Sequence, residues 1–306
     1  MSLEIPVGRL ALHQGKILFE YYPSFIERGL SISPFYLPLQ AGVHVGKQPL
    51  FEGLPGVFND SLPDGSGRLI LDRGVMSKGI PHQQLTPLDR LAYVGSKGMG
   101  AFIYEPEFHD LGDSSSVLDL DELDQATKEV LGGEAQEVID QLLELGGSSA
   151  GARPKVLLNY DRKTDTLSPT GKHLKEHEEP WMIKFASNMD QIDIGNIEYA
   201  YALMAEVAGI DMPETRLFRG KTNKAYFGVK RFDRVGTERR HMHTASGLLN
   251  ADHRNSSLDY ENLFRGMLAL DPDIREVEKL FRLACFNVIA HNRNDHSKEV
   301  SNQEGE

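Results

Sequence analysis

Several groups of side chains in this sequence could handle a phosphate or activate a hydroxyl. Lys184 lies inside the apolar run Trp181-Met182-Ile183-Lys184-Phe185. An ammonium there must find an anionic partner or snorkel to solvent, because burying an unpaired charge is costly. Glu198, at the start of the next helical pattern, can supply that partner. A strand lysine with a helix glutamate is the arrangement by which protein kinases hold the α- and β-phosphates of a nucleotide. On these two residues alone, a solvent-facing edge lysine and a helix-surface glutamate is the simpler explanation.

The small-residue stretch Gly146-Gly147-Ser148-Ser149-Ala150-Gly151-Ala152-Arg153-Pro154-Lys155 precedes a strand pattern. Backbone lacking bulky side chains can bring N–H groups close to phosphate oxygens. The stretch lacks the Gly-Lys-Ser/Thr ending of a Walker loop and is not G-x-G-x-x-G, and Gly95-Ser96-Lys97-Gly98-Met99-Gly100 also misses the latter pattern. Alone, either loop reads as a tight connection. The terminal stretch His291-Asn292-Arg293-Asn294-Asp295-His296-Ser297-Lys298-Glu299 follows an apolar helix pattern. Asp and Asn a few residues apart in such a loop can hold a base and a Mg²⁺ ligand, and a plain polar loop is the competing explanation. His241 and His243 alternate on one strand face without a third ligand nearby, which fits polar core or surface histidines better than a metal site.

Composition narrows the class. A chain of 306 residues with 40% hydrophobic content can build two domains. Its net charge of −12 disfavours general binding to nucleic acid or anionic membranes. Cys285 is the single cysteine, so an intrachain disulfide and a cysteine metal cage are both excluded. In its apolar setting the thiol reads as a small buried hydrophobe. No signal-peptide pattern stands near Met1 and no run reaches a membrane-spanning length, so a soluble cytoplasmic protein is expected.

The elements that must position these groups follow from periodicity and turn chemistry. Lys16–Tyr22 is a strand candidate ended by Pro23-Ser24, and Asn59–Arg68 is a turn-rich connection leading to a short helix at Leu69–Arg73. Ser114-Ser115-Ser116 marks a boundary. Helical patterns follow within Leu120–Leu131 and Glu134–Leu145, the latter with Val138, Ile139, Leu142, Leu143 and Leu145 on one face. Strands are expected at Val156–Tyr160, Trp181–Phe185, Leu217-Phe218 and Ala225–Phe232, with Asp161–His177 a polar excursion. Ile197–Ile210 is expected to be a helix facing its core with Ile197, Tyr201, Met204, Ala205 and Ala208. Ile274, Val277, Phe281, Ala284, Cys285, Val288 and Ile289 form an apolar helical stripe, and Glu299–Glu306 a polar tail. The whole reads as α+β.

Together these segments resemble the HipA-like serine/threonine kinases, the toxins of bacterial toxin–antitoxin pairs, over nearly the entire chain. The resemblance is carried by Phe51–Gly65, by Leu85-Thr86-Pro87-Leu88-Asp89-Arg90-Leu91-Ala92-Tyr93-Val94-Gly95 and by Ala150-Gly151-Ala152-Arg153-Pro154-Lys155. Ile183-Lys184-Phe185, Val229-Lys230-Arg231-Phe232-Asp233-Arg234 and Asn292–Lys298 complete it. It implies a two-lobed kinase-like fold with an extra N-terminal β-rich subdomain. The expected parts are 1–113 for that subdomain, 114–235 for the small-lobe core and 236–306 for the start of a helical large lobe.

The resemblance further implies ATP and Mg²⁺ as cofactors. Ser149, Ala150, Gly151, Ala152, Arg153 and Lys155 would form the phosphate loop, Lys184 the phosphate-pairing lysine, and Lys230 and Phe232 the adenine hinge. Ser148 falls where related toxins carry an autophosphorylated, regulatory serine. The implied partners are a HipB-type antitoxin, with DNA reached only through it, and a protein substrate such as an aminoacyl-tRNA synthetase; no membrane is implied.

The family's catalytic loop reads Asp-x-His-x-Lys-Asn. Aligned on His296 and Lys298, Asn294 replaces the catalytic Asp, Asp295 lies beside it, and Glu299 stands at the metal-binding Asn. An amide cannot accept the hydroxyl proton, whereas Glu299 can still offer Mg²⁺ an oxygen. No later Asp follows to complete the metal site. The expectation is therefore a kinase by descent with impaired transfer and an incomplete large lobe. The alternative is a non-catalytic truncated pseudokinase that binds an antitoxin or a related partner.

Overall fold

The computed structural model describes residues 4–77, 79–108, 117–133, 139, 142, 153–171, 174–187, 190–191, 193–251, 258–292 and 301–303. Its first elements are β1 (Gly8–His13), β2 (Lys16–Tyr21), α1 (Pro23–Ile26), β3 (Val43–Val45), α2 (Gly56–Asn59), α3 (Gly65–Ser77) and α4 (Pro87–Val94). Then come α5 (Leu120–Gly132), β4 (Lys155–Asp161), β5 (Thr166–Pro169), β6 (Glu178–Lys184), α6 (Ile194–Val207), β7 (Thr215–Arg219) and β8 (Ala225–Lys230). The last are β9 (Arg234–Val235), β10 (Glu238–Arg239), β11 (Met242–Thr244), α7 (Ala245–Leu248), α8 (Tyr260–Leu270), α9 (Ile274–Ile289) and β12 (Ser301–Gln303). The chain forms two compact units. One comprises Met1–Asp60, Ala208–Ile210 and His241–Glu306, the other Ser61–Val207 and Asp211–Arg240.

In the first unit, β1 and β2 form a hairpin about Gln14 and Gly15, both at positive φ, and β3 adds to the other edge of β2. A two-residue turn with both positions left-handed matches the twist of the strands it joins. The strand expected at Lys16–Tyr22 is present as β2, with Ile17, Phe19 and Tyr21 buried on one face. Phe19 packs its ring against Tyr21 and Phe58. Helix α2 lies against α7 so closely that a Cβ at Gly56 would come within 2.1 Å of the Gly247 carbonyl oxygen. Helices α8 and α9 pack together, with Asn287 donating to the Tyr260 hydroxyl. Of the apolar stripe expected on α9, Ile274, Phe281, Val288 and Ile289 remain 59–79% exposed. The tail expected to be merely polar contains β12, which pairs antiparallel with β11.

The second unit is built on a five-stranded antiparallel sheet of order β5-β4-β6-β8-β7. One face carries Val156, Leu158, Tyr160, Trp181 and Ile183 into a core with Leu120, Leu123 and Val130 of α5 and with Ile139 and Leu142. Ile139 and Leu142 are the described members of the second expected helical face; Val138, Leu143 and Leu145 lie outside the described residues. The polar excursion holds one strand that periodicity missed, β5, because Thr166–Pro169 buries only Leu167 fully. The expected short helix at Leu69–Arg73 extends to Gly65–Ser77.

Helix α6 begins and ends earlier than expected, and its buried face matches the expected one at Ala205 but not at Ile197 and Met204. Gly195, Ala202 and Ala205 are buried while Ile197 and Met204 are exposed. Small residues win this face because α6 runs close to β7 and β8: a Cβ at Gly195 would meet the Ala225 carbonyl oxygen at 2.5 Å.

Two of the sequence marks have plain structural duties. Thr86 caps α4 through the Asp89 amide while the Asp89 carboxylate accepts from the Thr86 amide, with Pro87 in the first turn. Arg90 is buried against Asp72. At the far end of β8, Asp233 accepts from Arg231, Arg234 and the Gly100 amide, and the two arginines also donate to the carbonyl oxygens of Gly98 and Gly100. The loop Gly95–Gly100 is thus the tight connection expected. Burial among like charges lowers the Arg234 guanidinium to about 9.

Candidate phosphate site

Strand register brings the candidate residues together. Lys155, at the start of β4, is directly opposite Lys184, at the end of β6, and Lys184 is opposite Phe227 of β8. Directly paired residues in an antiparallel sheet point to the same face, and like charges so placed repel. Both lysines therefore project from the sheet face opposite the Trp181 core. Lys155 is buried, and Lys184 is about one quarter exposed with its Nζ 5.5 Å from the centre of the Phe227 ring. A cross-strand pair of ammonium groups on one face suits a polyanion better than a neutral ligand.

Carboxylates organise this end of the sheet. Lys184 Nζ lies 3.6 Å from Glu198 Oε1 on α6, the partner expected from the sequence. Arg153 Nη1 donates to the same oxygen at 2.6 Å. Its Nε and Nη2 donate to Asp190, which also accepts from the Ser187 amide and hydroxyl. Burial would raise the Asp190 carboxyl, but the bonds from Arg153 and Ser187 outweigh it and hold it at about 2. The Arg153 guanidinium is raised, chiefly by its bonds to Asp190.

Not every expected site residue joins this cluster. Lys230 is opposite Trp181 and so emerges on the other sheet face, where its ammonium pairs with Glu179 at 2.6 Å. Its amide donates to the Glu214 carbonyl, and that of Arg231 to Pro180. Phe232 is half-buried in the segment beyond β8. Ser148, Ser149, Ala150, Gly151 and Ala152, and likewise Asn294, Asp295, His296 and Glu299, lie outside the described residues.

Asp190 was missed by the sequence reading; Ser187 and Asp190, three apart ahead of a helix, were the available signal. His241 and His243 are polar-core histidines, bonded to the Ile32 carbonyl and to Asp60 and Ser33. Among the described residues no group of three or more His, Cys, Asp or Glu could hold a metal ion, and no helix is long and apolar enough to cross a membrane. An open depression of about 550 Å³, lined by Arg162, Lys163 and Glu176–Glu179, sits at the other end of β4 and β6. Its mixed charge and its distance of about 20 Å along the strands separate it from the lysine pair.

Residues 147–306 match the HipA-like C-terminal domain and residues 2–105 the HipA N-terminal domain. The chain belongs to the HipA-like family. Its fold, mixed helix and sheet, is similar to that of a chain in the HipA, HipB and operator DNA complex of a Shewanella oneidensis MR-1 toxin–antitoxin system. That similarity has a TM-score of 0.68 at 18% identity and covers 97% of this chain and 70% of that one. None of the curated proteins compared by sequence matches the chain.

Proposed function

We propose that this chain is a HipA-type serine/threonine protein kinase by descent, with a nucleotide-phosphate site at the Lys155–Lys184 end of the sheet. The observation that carries the reading is the placement of those two lysines directly across from each other, beside Glu198. Two ammonium groups at adjacent strand positions are offset when phosphate oxygens accept from both. Lys184 would hold the α- and β-phosphates of ATP, oriented by Glu198, with Lys155 and the Ser149–Ala152 backbone completing the cradle. Mg²⁺, when bound, would neutralise phosphate charge. Glu299, at the position of the family's metal-binding Asn, would be a ligand for it.

The reacting hydroxyl would belong to a protein serine or threonine facing the Asn294–His296 loop. Asn294 at the position of the base makes transfer slow, because an amide does not take the hydroxyl proton. That same residue favours a second reading, a nucleotide-binding pseudokinase that engages a partner without catalysis. Under either reading the partner is a HipB-type antitoxin, as in the complex of the similar structure, with DNA reached through that antitoxin.

Calorimetric titration of ATP–Mg²⁺ into the wild-type chain and Lys184→Ala tests the site. Micromolar binding that weakens at least about tenfold in the variant is expected. A folded, monodisperse wild type that binds no nucleotide would overturn it. Phosphate incorporation into a candidate substrate, compared with Asn294→Asp, then separates the two readings: a gain of activity in the variant identifies the impaired kinase.

A further inference from the structure

The Arg153 guanidinium is spent on carboxylates. Its Nε and Nη2 meet Asp190 at 2.8–3.1 Å, and Nη1 meets Glu198 Oε1 at 2.6 Å. Asp190 is itself locked by the Ser187 amide and hydroxyl, just beyond the end of β6. Arg153 therefore ties together the residue ahead of β4, the segment after β6 and the first turns of α6. Glu198 Oε1 is the meeting point, bonded to Arg153 and a full 3.6 Å from Lys184 Nζ. A carboxylate oxygen drawn to one cation in a short bond is held back from the other, which keeps part of its field for a further anion.

We infer that Arg153 is a positioning residue and not a phosphate ligand: clamped by Asp190, it shares Glu198 with Lys184 and keeps Lys184 from closing into a tight ion pair. The inference rests on the proposed phosphate site for its consequence, but the bridge itself is independent of nucleotide. Without Arg153, Glu198 swings fully onto Lys184 and the pair closes. Without the Asp190 charge, Arg153 loses the anchor that sets its geometry, and the same closure follows.

Two measurements separate the inference from the site it serves. The first is competitive acetylation of the nucleotide-free protein, with Lys184 read by mass spectrometry against the exposed Lys16. Arg153→Met is expected to lower Lys184 labelling at least about twofold, because a closed pair shields the amine. Arg153→Lys, which keeps a cation but cannot grip both carboxylates, should lower it in the same direction and serves if the methionine variant does not fold. Unchanged labelling in both variants overturns the inference, whether or not nucleotide binds.

The second is calorimetry with ATP–Mg²⁺ on Asp190→Asn, Arg153→Met and the double variant. A positioning role predicts that each single change weakens binding and that the double variant is no weaker than Arg153→Met. If Arg153 were a phosphate ligand, Asp190→Asn would free its guanidinium and tighten binding, and the inference would fall. Changed labelling with no nucleotide binding by the wild type would leave the bridge intact and remove the proposed function instead.

Discussion

Asp60 shows how a single buried side chain can hold distant segments of sequence together. Its carboxylate accepts from His243 Nδ1 at 2.6 Å and from the amide and hydroxyl of Thr244, and His243 Nε2 meets the Ser33 hydroxyl at 3.0 Å. The connectivity is that of a hydrolase triad, but Ser33 is 2% exposed, so no acyl substrate reaches it and the network is a staple. Asp60→Ala should lower the unfolding free energy by about 3–5 kcal/mol and Ser33→Ala by about 1 kcal/mol, read from urea denaturation. Asp190 gives a pH signature. Its carboxyl is held at about 2 against an ordinary 3.8, so its contribution is full above about pH 4 and is lost as pH falls toward 2. Wild-type stability should drop by about 2 kcal/mol more over that window than that of Asp190→Asn, measured by denaturant titration at each pH.

Individual elements depend on local chemistry in some places and on close approach in others. The start of α4 is local: Thr86, Pro87 and Asp89 are neighbours whose cap needs no distant partner. Thr86→Ala should cost about 1 kcal/mol in thermal or urea unfolding. The seat of α6 depends on close approach. A Cβ at Gly195 has no room beside Ala225, so Gly195→Ala should push the helix off β8, cost about 1–3 kcal/mol and carry Glu198 away from Lys184. Weaker nucleotide binding by that variant would report the displacement. Apolar periodicity placed Ala205 correctly on the buried face of α6 but put Ile197 and Met204 there as well: hydrophobicity ranks them above glycine and alanine, but close approach to the sheet favours the small residues.

At the scale of the whole molecule, the chain passes between its two compact units repeatedly, so neither is a continuous piece of sequence. The α8–α9 pair leaves large apolar side chains in water, Ile289 and Val288 most of all. Since these atoms are not buried, Ile289→Lys should change the unfolding free energy by less than about 0.5 kcal/mol in urea, although its sequence pattern marks it as core. A loss of several kcal/mol would show that the side chain is buried in solution.

The sequence by itself determined what nearest-neighbour chemistry determines. The strand at Lys16–Tyr21 and the strands around Lys184 were legible because periodicity acts over a few residues. Glu198 was only a candidate partner for Lys184 until the packing of α6 on the sheet brought the two to 3.6 Å. Family membership was legible too, through many short marks in order, each ambiguous alone. Only the tertiary structure decided that Lys155 stands across from Lys184, that Lys230 faces the other way and that Asp190 holds Arg153. Those outcomes depend on strand register and on contacts between distant segments. A one-residue slip of register moves a side chain to the opposite face, and no local pattern records which register the packed core selects.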